Sequence, residues 1–254
     1  MPSAYLLVSH GSRDPRPEIA MQHLARLVCN QVESYASASI FHSPLASHPK
    51  CETLVGTAYL ELAPQPLHIQ IREFAVKARA AGYNRVKILP LFLLPGVHVM
   101  EDIPQEVAQA EQLLDKSIKI DLLSHLGSHP GLQRLLANQM TNINTEAWIL
   151  VSHGSRRPGS QKPVEALAEG LGAVAAYWAV PPSLEVRLEE LIAGGYRSIG
   201  IIPYFLFPGG ITDTIISRVE GLKLQFPHNI SFYMAQPIGT TADLARIIRD
   251  LIGE

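Results

Sequence analysis

Cysteine is scarce: the 254 residues hold only Cys29 and Cys51. Two thiols make at most one disulfide and cannot build a thiolate cage for zinc or an iron–sulfur cluster. Charge is thin as well. Asp, Glu, Lys and Arg make up 17% of the chain, and 21 basic against 23 acidic residues leave a formal net charge of −2 with no basic run. A nucleic-acid partner held by phosphate neutralisation is therefore not expected. Long hydrophobic runs are missing too: the longest nearly uncharged apolar stretch, Ile88 to Val99, is broken by Pro90, Pro95 and Gly96 and is too short to cross a bilayer. Met1 to Val8 lacks the basic flank and the length of a signal peptide, so a cytoplasmic protein without a membrane partner is expected. There is no Walker lysine and no G-x-G-x-x-G, which disfavours a nucleotide site. What is present is a chain 47% hydrophobic, long enough for one large core or two small ones.

The organising feature is a duplication. Tyr5-Leu-Leu-Val-Ser-His-Gly-Ser-Arg13 returns as Trp148-Ile-Leu-Val-Ser-His-Gly-Ser-Arg156, an offset of 143. Ala80-Ala-Gly-Tyr-Asn-Arg-Val-Lys-Ile-Leu-Pro-Leu-Phe92 returns as Ala193-Gly-Gly-Tyr-Arg-Ser-Ile-Gly-Ile-Ile-Pro-Tyr-Phe205, an offset of 113. A third pair closes each half, Leu126-Gly-Ser-His-Pro-Gly-Leu132 against Ile238-Gly-Thr-Thr-Ala-Asp-Leu244. Motifs that keep their order mean two similar domains. The boundary is expected near Asn142 to Thr145, giving an N-terminal domain over 1–143 and a C-terminal repeat over 144–254, with about 30 extra residues in the first half. That excess, about Tyr35 to Val55, holds His42, Pro44, His48 and Pro49 and reads as a long excursion or lid.

Short apolar runs alternate with amphipathic stretches in both halves. Ala4 to Ser9, Thr57 to Leu62, Arg85 to Leu91 and Ser117 to Leu123 suit buried parallel strands, as do Ala147 to Ser152, Val174 to Val180, Ser198 to Tyr204 and Ile230 to Ala235. Leu67 to Ala81 has helical spacing and stops at Gly82. The expected fold is α/β: two similar domains, each a four-stranded parallel sheet with helices on both faces.

Ligands of open parallel sheets sit beyond the carboxyl ends of the strands. His10 follows the first strand, Glu61 ends the second and His98 follows the third. Two imidazoles and a carboxylate suit a first-row divalent ion such as Fe²⁺, Co²⁺ or Ni²⁺, and they can also exchange protons. The repeat supplies a test. His10 is matched by His153, but Glu61 is matched by Ala179 and His98 by Ile211. The fold keeps its turns in both copies while the chemistry differs, so one complete site is expected in the first half, with the second a degenerate copy that completes the cleft. His129 reads as a residue just before a helix, and His23, His68, His125 and His228 have no assignable partners. Gly11, Ser12 and Arg13 open a helix whose free N–H groups favour an anion, and Arg16, Arg156 and Arg157 can add bidentate contacts.

Leu6-Leu-Val-Ser-His-Gly-Ser-Arg-Asp14, Tyr59-Leu-Glu-Leu62 with Pro66-Leu67, and Leu89-Pro-Leu-Phe-Leu-Leu-Pro-Gly-Val-His-Val99 with Asp102-Ile103-Pro104 together resemble the sirohydrochlorin chelatases. These are the class II chelatases of the siroheme and cobalamin routes, here in their duplicated long form. The resemblance covers nearly the whole chain, although Val97 stands where the family usually has glycine. It implies an enzyme that inserts Fe²⁺ or Co²⁺ into sirohydrochlorin without ATP, with no permanently bound cofactor and the metal as substrate. His10 and His98 match the family's functional histidines and Glu61 its carboxylate. Gly11, Ser12 and Arg13 would receive the carboxylates that ring the macrocycle. The chemistry agrees: metallation removes pyrrole protons and exchanges the ion's ligands stepwise, which imidazole and carboxylate permit and tightly binding thiolates would not. Since an internal duplication can replace a homodimer, a monomer is expected. Two other classes remain open: a tetrapyrrole carrier or metal chaperone without catalysis, and a histidine phosphatase, whose phosphoryl-accepting His also follows a first strand.

Overall fold

The computed structural model describes residues 3–40, 53–114, 117–141, 143–226 and 228–253. Two runs of β-α units emerge in sequence order. The first comprises β1 (Ala4–Ser9), α1 (Pro15–Ile40), β2 (Val55–Tyr59), α2 (Leu67–Ala80), β3 (Arg85–Pro90), α3 (Ile103–Gln112), β4 (Lys119–Leu122) and α4 (Gly131–Thr141). The second comprises β5 (Ala147–Ser152), α5 (Lys162–Gly170), β6 (Val174–Tyr177), α6 (Leu184–Ala193), β7 (Ser198–Pro203), α7 (Gly210–Lys223), β8 (Ser231–Met234) and α8 (Ala242–Gly253). All strand pairings are parallel, in the orders β2-β1-β3-β4 and β6-β5-β7-β8. The α/β class, the two four-stranded sheets and the flanking helices are therefore as the patterning implies.

Apolar side chains on both faces of the central strands explain the layering. In the first sheet Leu6, Val8, Val86 and Ile88 pack with Ile71 and Ala75 of α2 and with Ile103 and Val107 of α3. Leu7 and Leu89, next along the same strands, turn to the opposite face and are equally buried, as are Met21, Leu24 and Val28 of α1. The second sheet repeats the scheme, with Ile149, Val151, Ile199 and Ile201 against Leu184 and Leu188 of α6 and Ile215 and Val219 of α7. α2 ends as its sequence predicts, at Gly82 with φ +90°.

Several expected bounds change. The excursion foreseen over Tyr35 to Val55 begins later, because α1 runs on through Ile40: the Ala-Ser-Ala-Ser stretch after Tyr35 contains no helix breaker. Residues 41–52, with His42, Pro44, His48, Pro49 and Cys51, lie outside the described residues. β2 ends at Tyr59 rather than Leu62, since Tyr59 pairs with Ser9, the last residue of β1, and Leu62 turns aside at φ 58°.

Packing adds a second division of the chain to the one that the repeat gives. The sequence repeat divides between α4 and β5, but the compact units are Met1–His129 with Thr240–Glu254, and Pro130–Gly239. Each sheet is thus completed by the closing helix of the other repeat. In the first unit α8 buries Leu244, Ala245, Ile248, Leu251 and Ile252, and Lys87 Nζ on β3 donates to the Ile252 carbonyl at 2.7 Å. The Arg249 guanidinium lies 5.1 Å above the Tyr35 ring. In the second unit α4 buries Leu132, Leu135 and Leu136, and Gln133 Nε2 donates to the Gly170 carbonyl at 2.9 Å. Among the described residues no helix is long and apolar enough to cross a membrane.

Candidate metal centre

The site forms where β1, β2 and β3 end. Beyond the last strand pairs, Leu60 N donates to Ser9 O at 2.9 Å and Glu61 N donates to His10 O at 2.8 Å, which fixes the residues carrying the first imidazole and the carboxylate side by side. Gly11 permits the approach. Its φ is +97°, and a Cβ there would lie 1.9 Å from the Glu61 carbonyl oxygen, so no other residue fits without moving Glu61. His98 follows β3 after residues 91–97 and opens a π-helical turn, His98–Asp102, of the kind that recurs at functional sites. Beneath the loop, Gly127 N donates to Phe92 O at 2.9 Å, giving the third repeated motif a role as a buttress for the segment leading to His98.

His10, Glu61 and His98 each offer a ligand atom within 4.8 Å of the other two, the only such cluster among the described residues. His10 Nε2 lies 3.8 Å from Glu61 Oε2, and the two imidazole rings meet edge to face with centroids 4.9 Å apart. Half of the His10 and Glu61 side-chain surface is open to solvent. Asp102 holds His98 from behind: Nδ1 sits 2.7 Å from Asp102 Oδ2, so Nδ1–H donates to the carboxylate and Nε2 keeps its lone pair for a ligand. Phe92 walls the cluster, with its centroid 6.5 Å from the His10 ring and 6.0 Å from the His98 ring. Leu62, Val97 and Met100, adjacent in sequence to the donors, are exposed apolar side chains. Asp102 enters the sequence reading only within a motif, with no role of its own. The four-residue step from His98 to Asp102 was the available signal for its contact with the ring.

The expected anion contacts are arranged differently. α1 begins at Pro15, after Gly11, Ser12 and Arg13, and the residues before it serve one another. Ser12 Oγ accepts from Asp14 N at 3.0 Å, and Asp14 Oδ1 accepts from Arg16 N at 3.0 Å. The Arg16 guanidinium forms a fork on the same carboxylate, which holds the Asp14 carboxyl below its ordinary range. Ser12 and Arg13 are exposed. His68, unassigned from sequence, pairs with Glu106: the carboxylate takes both His68 N at 2.7 Å and the ring at 2.9 Å.

The second repeat preserves the scaffold and keeps His153 but drops the other two donors. Ala179 N donates to His153 O at 2.8 Å and Trp178 N to Ser152 O at 2.9 Å, the same bonds that position Glu61. Those bonds place Ala179 where the first copy has its carboxylate, as the repeat alignment implies.

Comparison with known proteins agrees with this layout. The CbiX family model matches residues 4–143 and again 147–254, one segment per repeat. The chain belongs to the CbiX family. A sirohydrochlorin ferrochelatase of Priestia megaterium is 24% identical over 66% of this chain, and the chain spans just under two thirds, 66%, of that relative's length. A sirohydrochlorin cobaltochelatase of the same organism is 23% identical over 96% of the chain and 77% of its own length. The structure of SirB from Bacillus subtilis with Fe3+ superposes with a TM-score of 0.72 at 22% identity, covering all of this chain and 95% of that one. The duplicated parallel-sheet architecture is thus a CbiX fold, with its candidate metal centre in the first CbiX repeat.

Proposed function

We propose that the protein is a chelatase that inserts Fe²⁺ or Co²⁺ into sirohydrochlorin, without ATP and with the ion as substrate. The observation that carries this reading is the exposed cup of His10, Glu61 and His98. Ligands about 2.1 Å from one ion and at tetrahedral angles sit about 3.4 Å from each other. The spacing of 3.8 Å between His10 Nε2 and Glu61 Oε2 is close to that, so small side-chain shifts bring both onto one ion. Thiolates, which would retain it, are not part of the cluster. The relatives' names supply the acceptor, sirohydrochlorin, and pair it with iron in one case and cobalt in another. Imidazole and carboxylate accommodate both ions, so the choice follows availability.

In this mechanism His98, its tautomer set by Asp102, and His10 present lone pairs to the ion from one side. Glu61 supplies negative charge and accepts the two pyrrole N–H protons in turn, passing each to solvent from its open face before the next is lost. Phe92, Leu62, Val97 and Met100 offer apolar surface to the flat ring. Arg13, exposed beside Gly11 and Ser12, would meet a peripheral carboxylate. We assign the protein to the cytoplasm and to a monomer, the second repeat standing in for a second subunit.

Visible spectroscopy of sirohydrochlorin mixed with Fe²⁺ or Co²⁺ tests the reading. Metallation faster than the uncatalysed rate supports it. Tight binding of ring and ion with no acceleration would make the protein a carrier instead.

A further inference from the structure

Glu61 sits in a short loop that one side chain holds closed at its base. Among the described residues β2 is the outer strand of its sheet, and Leu60 N faces β1, so the N–H and C=O of Tyr59 point outward, away from any neighbouring strand. Gln70, in the first turn of α2, takes the place of that strand. Its Oε1 accepts from Tyr59 N at 3.0 Å, and its Nε2 donates to Tyr59 O at 2.9 Å and to Gln65 O at 2.8 Å. Only one orientation of the amide serves all three partners, since a flip would set the NH₂ group against an N–H and the oxygen against two carbonyls. Residues 60–64, Glu61 among them, span between the two carbonyls so held. Leu62, next to Glu61, keeps φ at 58°, a conformation that a leucine holds only where its surroundings impose it.

The second repeat closes the matching loop without such a bridge. Tyr177 pairs with Ser152 as Tyr59 pairs with Ser9, and Ser183 precedes α6 as Pro66 precedes α2. There Tyr177 N donates straight to Pro182 O at 2.8 Å, with residues 178–181 between them where the first copy has 60–64. Arg187, the fourth residue of α6 as Gln70 is of α2, turns instead to Ala175 O at 2.9 Å. The amide bridge thus belongs to the copy that has a carboxylate to place. α2 is in turn tied to α3, because the Glu106 carboxylate, four residues past Asp102, takes both His68 N and the His68 ring. The helix that holds the Glu61 loop is therefore braced against the helix that follows the His98 turn.

We propose that Gln70 is a positioning residue for metal capture: its amide bridges Tyr59 and Gln65 and so holds the Glu61 carboxylate within reach of His10 and His98. This deepens the chelatase reading and rests on it for the reaction, while its test reads the ion alone. The test is a titration of the intact protein with Co²⁺, followed by visible absorption, with urea unfolding alongside to show that each variant folds. Gln70→Met, close in size and without the amide, should raise the Co²⁺ Kd about tenfold, and at saturation its spectrum should move towards that of Glu61→Gln. Combined with Glu61→Gln, Gln70→Met should add less than about twofold, because the carboxylate it positions is gone. Arg187→Met, the matching change in the second copy, should leave the Co²⁺ Kd within about twofold of wild type. Should Gln70→Met fail to fold, Gln70→Asn, which holds the amide one methylene short of its partners, should weaken Co²⁺ binding in the same way. Wild-type Co²⁺ affinity in the Gln70 variants, or an equal loss with and without the Glu61 carboxylate, would overturn this role alone. A wild type that takes up no Co²⁺ would overturn the cup, and the chelatase reading with it.

Discussion

His98 Nδ1 lies 2.7 Å from Asp102 Oδ2, one turn along the same helical segment. A carboxylate only accepts, so in the neutral ring this contact keeps the proton on Nδ1 and leaves the Nε2 lone pair for a ligand. Asp102→Ala should lower metal affinity and kcat/KM for metallation about 10- to 100-fold. Asp102→Asn, which keeps an acceptor oxygen, should lose less. An Asp102→Ala variant with unchanged metal affinity and kcat/KM would mean that Asp102 does not orient the His98 ring.

Gly11 is the point where backbone and site are inseparable. Gly11→Ala places a methyl group 1.9 Å from Glu61 O at a φ of +97°, so we expect at least about 1–3 kcal/mol of lost stability in urea unfolding. Co²⁺ binding should weaken as well, because the relaxation displaces Glu61. The second-copy equivalent, Gly154→Ala, should destabilise without a matching loss of metal affinity.

The juxtaposition of His10, Glu61 and His98 was legible in the sequence for a physical reason. The carboxyl ends of neighbouring parallel strands lie along one edge of the sheet, and an internal copy that kept His153 while replacing Glu61 and His98 separated those residues from the scaffold. Asp102 was legible only in part, as a carboxylate four residues from a histidine. The exchange of α4 and α8 was not, because each carries an amphipathic pattern that any sheet face can bury. Local sequence states that a helix needs a partner and leaves open which sheet supplies it. The same limit concealed the pairing of His68 with Glu106, since nothing in either segment marks the other.

The helix exchange predicts how the chain can be cut. A fragment of residues 1–143 retains all four strands of the first sheet but loses α8, whose Leu244, Ile248, Leu251 and Ile252 are buried in that unit. Several such side chains are worth about 1.5–3 kcal/mol each. The fragment should therefore bind ANS and lack a cooperative melt, and adding residues 240–254 in trans should restore part of the transition. Cooperative folding of 1–143 by itself would contradict the exchange.

Partial burial holds the His125 pKa below its ordinary 6.5. Its folded form resists protonation, so its contribution to stability is present above pH 6.5 and is lost as pH falls below that value. Wild type and His125→Asn should differ most in urea-unfolding free energy near pH 7.5, and the gap should narrow towards pH 5. A gap that widens on acidification would reverse the sign and refute the assignment.

The most direct measurement is the initial rate of Co²⁺ insertion into sirohydrochlorin by wild type, His10→Ala, Glu61→Gln, His98→Ala and His153→Ala, followed by visible absorption. With one ion-handling cup, built in the first repeat, the first three variants should lose about 100-fold or more, and His153→Ala should stay within a few-fold of wild type. An unimpaired His98→Ala, or a His153→Ala as inactive as His10→Ala, would contradict a single cup.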